Sequence, residues 1–153
     1  MIQDSVKVTT FVAVPQAKAF AVFTDEIEAW WQRGPRFRAV PAKLVLEPRL
    51  GGRIFHQGDA GPLHELGTIT AWSPPSHFAF TWRAINFAPS ESTLVSVSFV
   101  PSGTGTRVTL EHSGFASLRP DHPVRHGEPP PIFLGRLGRW WGDLLTSYRH
   151  IIA

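Results

Sequence analysis

The stretch "LGRLGRWWGDLLTSYRHII", residues 134–152, decides the fold. Leu137, Trp141, Leu144, Tyr148 and Ile152 recur at helical spacing and make one apolar stripe, which Leu145 and Ile151 widen. Arg136, Arg139, Asp143 and His150 fall on the other side, with Arg139 and Asp143 spaced for an i,i+4 pair. The pattern predicts a helix from about Leu134 to Ile152. A long helix that is apolar on one side needs an apolar face of another element to cover it.

The rest of the chain supplies that face as strands. From Ser5 to Val14, the residues Val6, Val8, Thr10, Val12 and Val14 fall on one side. Further strands are expected near 43–47, 53–57, 64–73, 77–84, 93–101 and 105–113. They are separated by Pro48 to Gly52, Gln57 to Pro62, Ser73 to Ser76, Asn86 to Ser92 and Ser102 to Gly105, all rich in turn-forming residues. Short connections predict antiparallel neighbours. The pair Gly51-Gly52 allows positive φ, close backbone approach and a sharp bend of the sheet.

After the first strand, Pro15 suits the first position of a helix, in which Ala17, Phe20, Ala21 and Thr24 follow helical spacing. Asp25 and Glu28 are placed to form a capping box for a second short helix carrying Trp30 and Trp31 and stopping before Gly34-Pro35. Gly114 to Phe133 holds Pro120, Pro123 and Pro129 to Pro131 and predicts a long irregular loop, a candidate lid over 116–133. The whole reads as one α+β domain over 1–153 with a helix-grip fold. Six to seven curved antiparallel strands surround a long C-terminal helix, and two short helices follow strand 1.

The totals exclude several function classes. The chain has 153 residues, 42% hydrophobic and 18% charged, which suits one globular domain. Cysteine is absent, which removes disulfides and thiolate chemistry and fits the cytoplasm. The start lacks the basic and apolar regions of a secretory signal, and no apolar run approaches the ~20 residues that span a bilayer. Net charge is +3. Arg33, Arg36 and Arg38 form the densest basic group, too short for a nucleic-acid stripe and suited to a solvated surface.

Several landmarks carry a resemblance. They are Val14 to Phe20, Trp30-Trp31, Glu47 to Arg53, Gly67-Thr68-Ile69 leading to Trp72 to Pro75, Phe80-Thr81-Trp82, Gly105 to His112, Gly114-Phe115 and a tryptophan at Trp140 or Trp141. In this order they resemble the START-like, polyketide-cyclase (SRPBCC) superfamily. More narrowly, they resemble the family named for activators of the heat-shock protein 90 ATPase. The resemblance covers almost the whole chain. It implies a helix-grip fold with a cavity between sheet and helix, in a superfamily that binds lipids, sterols, polyketides or hormones and includes a minority of enzymes.

The expected function is binding of a small apolar or amphipathic molecule in that cavity. Trp31, Phe55, Phe80, Trp82, Phe99 and Trp141 would supply contact area, and His112 and Tyr148 polar anchors. Strand alternation puts His112 on the inward face with Val108 and Leu110. One alternative is a cyclase or hydratase with His112 as acid and base. Another is a protein-interaction module regulating a chaperone ATPase or another partner. Glu47, Glu65 and Glu111 qualify as acids only if buried, where their pKa would rise. His56 with His64, and His122 with His126, lack the spacing of a metal site. No cofactor, metal or nucleic acid is expected. The oligomeric state is open, a homodimer included.

Overall fold

The computed structural model describes residues 5–31, 42–58, 61–83, 91–115 and 128–152. Arg33, Arg36, Arg38, Gly34-Pro35, His122, His126 and the 116–127 part of the lid candidate lie outside the described residues, as does the side chain of His64. The elements run β1 (Val6–Val12), α1 (Gln16–Asp25), α2 (Ile27–Trp30), β2 (Ala42–Leu46), β3 (Arg53–Gly58), β4 (Gly61–Ser73), β5 (His77–Trp82), β6 (Thr93–Ser102), β7 (Gly105–Ser113) and α3 (Pro130–Ile152). All seven strands form one antiparallel sheet in the order β1-β7-β6-β5-β4-β3-β2. This is the α+β helix-grip fold that the sequence predicts.

Inward residues align in rows across the strands. One row is Val6, His112, Val95 and Phe80, and the next is Val8, Leu110, Val97 and Phe78. Against these rows α3 lays Phe133, Leu134, Trp141, Leu144, Leu145, Tyr148 and Ile152, all buried. Full burial of one such side chain contributes roughly 1.5–3 kcal/mol, so the stripe is a main source of cohesion between helix and sheet.

The double glycine has two separate tasks. Gly51 takes φ 80°, which favours glycine. A Cβ on Gly52 would lie 2.3 Å from the Glu47 carbonyl oxygen, so no side chain fits. The turn then bonds to a third strand: the Gly51 N–H donates to Ile69 O at 2.9 Å, and the Ile69 N–H to Gly52 O at 2.7 Å. The turn between β2 and β3 is thereby folded onto β4.

Several local expectations are corrected. Pro15 is the N-cap of α1, not its first residue, and Ala19, Phe20, Val22, Phe23 and Thr24 form its buried side while Ala17 is exposed. No capping box forms at α2: Glu26 is its N-cap, and the Glu28 carboxylate instead accepts the Leu44 N–H of edge strand β2. Trp31 lies just past α2 in extended backbone. The last helix begins at Pro130, four residues early, because proline is tolerated in a first turn whose N–H groups have no helical partner. Phe133 is therefore buried helix rather than loop. Ile151 is 43% exposed and does not widen the stripe. Gln57 belongs to β3 and Pro62 to β4, so that connector is shorter than expected.

Candidate functional site

Three elements bring tryptophans to one end of the interior. Trp31 follows α2, Trp82 ends β5, and Trp140 and Trp141 are on α3. The centroids of Trp31, Trp82 and Trp141 are 5.5 to 5.9 Å apart in every pairing. Trp140 meets Trp31 at 5.9 Å, Trp82 at 5.5 Å and Trp141 at 4.7 Å. These are the separations of edge-to-face and tilted aromatic pairs. Trp141 is completely buried, Trp31 and Trp82 keep a small exposed margin, and Trp140 is only partly buried. The cluster thus runs from the core to the surface.

His112 lies behind this cluster with no exposure. An indole N–H can only donate, so the 3.1 Å contact from Trp141 Nε1 makes His112 Nδ1 an acceptor. In the neutral ring the proton then sits on Nε2, which donates to Thr93 Oγ1 at 2.6 Å. The Thr93 hydroxyl in turn reaches the Trp82 carbonyl at 3.5 Å. The result is a one-directional chain from α3 through β7 and β6 to β5. Burial pushes the His112 pKa down to about 3, because a cation here would lose its hydration. Phe115 adds a ring 4.7 Å away. Both nitrogens are committed to protein groups, so acid–base work by His112 would require breaking one of these bonds.

The other nominated residues divide. Phe80 and Phe99 are buried in the core cluster, where Phe78 stacks on both, at 5.8 and 6.4 Å. The Tyr148 hydroxyl donates to Ala19 O at 2.8 Å, joining α3 to α1, and burial pushes its phenol pKa up. Phe55 is buried but stands outside that cluster, with the Arg53 guanidinium 5.0 Å over its ring. The structure therefore brings seven of the eight into one core and leaves Phe55 apart. Thr93 and Trp140 were missed. Thr93 was findable, as the polar member of the inward alternation Thr93, Val95, Val97, Phe99.

The carboxylates do not point to acid catalysis. Glu47 accepts from the Arg53 N–H at 2.8 Å, which with the Arg53 guanidinium at 3.3 Å holds its pKa below the usual value. This is opposite in direction to the shift a buried acid needs. Glu65 is exposed and Glu111 half-buried. Among the described residues, no group of three His, Asp or Glu is placed to hold a metal ion. Among the same residues, no helix is long and apolar enough to cross a membrane.

The family model for Activator of Hsp90 ATPase homolog 1-like protein matches residues 13–128. No curated protein gives a significant match. Among solved structures, a Bacillus halodurans protein is 23% identical, with all of both chains covered and a TM-score of 0.68. An HSP90 activator from Plasmodium falciparum is 17% identical, with 98% of this chain and 96% of that one covered, and a TM-score of 0.66. The Aha1 dimer from Colwellia psychrerythraea is 14% identical over 98% and 96% of the two chains, with a TM-score of 0.68. At these identities the likeness is one of fold.

Proposed function

The chain belongs to the Activator of Hsp90 ATPase homolog 1-like family, and from that premise we propose that it binds a small apolar or amphipathic molecule at the tryptophan end of the helix–sheet interior, in the cytoplasm. The observation that carries this reading is the convergence of Trp31, Trp82 and Trp140 on Trp141, in a cluster that grades from the fully buried Trp141 to the partly buried Trp140. Apolar ligand sites are lined mostly by such rings with few polar groups. Phe80 and Phe99 back the site from deeper in the core. His112 and Tyr148 act by holding Trp141 and α3 in place, since their hydrogen bonds go to protein partners. The commitment of both His112 nitrogens to protein groups supports binding over proton transfer at this residue.

Native mass spectrometry of the purified protein, together with titration of an apolar fluorescent dye, tests the reading. A retained small molecule or saturable dye binding is expected, with Trp31→Ala and Trp82→Ala each weakening the dye by about tenfold. Equal dye binding by wild type and both variants would sink it. A second reading, regulation of a chaperone ATPase, draws on the family and on the Plasmodium falciparum activator of the same fold. Stimulation of an Hsp90-type ATPase by this protein, with no dye binding, would select it.

A further inference from the structure

The opposite face of the sheet carries a concavity beside Trp82, whose side chain turns away from it into the core. It is half-open, about 220 Å³, and lined by Glu65, Gly67, Thr68, Thr81, Arg83 and Ser92. Phe80, Trp82 and Leu66 point into the core, so strand alternation turns Thr81, Arg83 and Glu65 outward. The pocket lies where the regular β4–β5 register ends, past the Ile69–Phe80 pair. The Thr68 N–H donates to the Thr81 side-chain oxygen at 3.0 Å instead of a carbonyl. Further along, a single backbone bond, Arg83 N–H to Leu66 O at 2.7 Å, joins the two segments. A Cβ on Gly67 would fall 1.6 Å from Thr81 O, so glycine alone lets the two strands approach this closely. Irregularities of this kind recur where a sheet re-aims side chains for a site.

We propose that this pocket binds a small zwitterion of free amino-acid size, its carboxylate at Arg83 and its ammonium at Glu65. Among the described residues, the lining offers one cation, one anion and three hydroxyls. A simple anion would meet repulsion from Glu65 and a simple cation repulsion from Arg83. A molecule carrying both charges satisfies both ends at once. A guanidinium has five N–H donors in a fixed fork, so a ligand carboxylate adds to whatever else Arg83 bonds. The volume accommodates roughly seven waters at ~30 Å³ each, which matches a molecule the size of alanine to glutamate. Thr68, Thr81 and Ser92 offer hydroxyls that both donate and accept.

The test is a titration of the protein with L-alanine, followed by the backbone amide NMR signals. Acetate and ethylammonium serve as probes carrying one charge each. Saturable shifts at Gly67, Thr68 and Arg83 are expected with L-alanine, and binding of each one-charge probe weaker by about tenfold or more. Arg83→Gln and Glu65→Gln should each weaken L-alanine by a similar factor with unchanged far-UV circular dichroism. Acetate binding as well as L-alanine, no saturable shift at these residues, or Arg83→Gln binding like wild type would each overturn the proposal. Trp31 meets Trp82 and Trp141 in the interior and does not line this pocket, so Trp31→Ala lets the result stand or fall separately from apolar binding.

Discussion

Along β1, β7, β6 and β5 the register runs without a break, from Val6 opposite His112 to Val12 opposite Thr106, and from Leu94 opposite Ser113 to Ser102 opposite Gly105. Along β3, β4 and β5 it shifts three times, between Ile54 and Phe55, between His56 and Gln57, and between Ile69 and Ala71. The two halves of one sheet therefore do different work. The regular half presents straight rows of inward side chains, on which Trp141 of α3 finds a fixed partner in His112. The irregular half spends ladder hydrogen bonds on bending, since each bulge adds local twist. Its glycines, Gly51, Gly52 and Gly67, stand where the chain folds over or strands crowd. Cohesion with the helix is concentrated in one half and shape in the other.

If that division holds, the most damaging single change lies in the regular half. Trp141→Ala removes a wholly buried side chain and leaves His112 Nδ1 without its donor. A large-to-small core change costs ~3–5 kcal/mol, and a buried acceptor left unpaired adds ~1–3 kcal/mol. Urea unfolding should show a loss of about 4–8 kcal/mol, near the whole stability of a small domain. Trp140→Ala, at a partly buried position whose side chain makes no hydrogen bond among the described residues, should cost clearly less. The reverse order would mean that the surface end of the cluster, not its core, holds the helix.

Much of this half was legible in the sequence, for a physical reason. Strand alternation and helical spacing report burial directly, so Val108, Leu110 and His112, or Leu144 and Tyr148, could be assigned to the interior one residue at a time. The irregular half was less legible. Bulges break the period-2 signal, and nothing local distinguishes the outward Phe55 from the inward Ile54. Glu28 shows the same limit. Its spacing from Asp25 suits a helix cap, but a strand distant in sequence offers it the Leu44 N–H instead. Of the candidate site, the apolar members could be read from pattern. The partners of His112 could not, because Trp141 and Thr93 meet it only through tertiary packing.

A second, somewhat smaller effect belongs to the same half and depends on pH. The His112 pKa is about 3 in the folded protein against 6.5 ordinarily. Between these values the unfolded chain binds a proton that the folded one excludes, so stability rises with pH across this window. The contribution is full above pH ~6.5, falls as pH drops toward ~3, and totals on the order of 5 kcal/mol. Comparing urea unfolding at about pH 7 and pH 4.5 isolates it when His112→Asn is run alongside. The variant should lose part of the wild type's pH slope. Identical slopes would show that His112 ionises as freely folded as unfolded, and the hydrogen-bond chain would have to be abandoned.

The smallest effect tests the bent half. Gly67 has a φ outside the left-handed region, so the backbone itself would accept alanine; only space forbids it. The added Cβ would sit 1.6 Å from the Thr81 carbonyl oxygen, and since that neighbour is backbone, β4 and β5 must separate. Overpacking of this sort costs ~1–3 kcal/mol. Gly142 is the natural control: a Cβ there meets nothing within 4 Å, on the long helix. Gly142→Ala should therefore stabilise by up to ~1 kcal/mol through helix propensity alone. In Gly67→Ala, amide signals of β3, β4 and β5 should shift while those of β1 and β7 stay in place. If the disturbance instead spread to His112 and Trp141, bending and gripping would be one cooperative property, and the contrast between the halves would be one of geometry rather than of energetics.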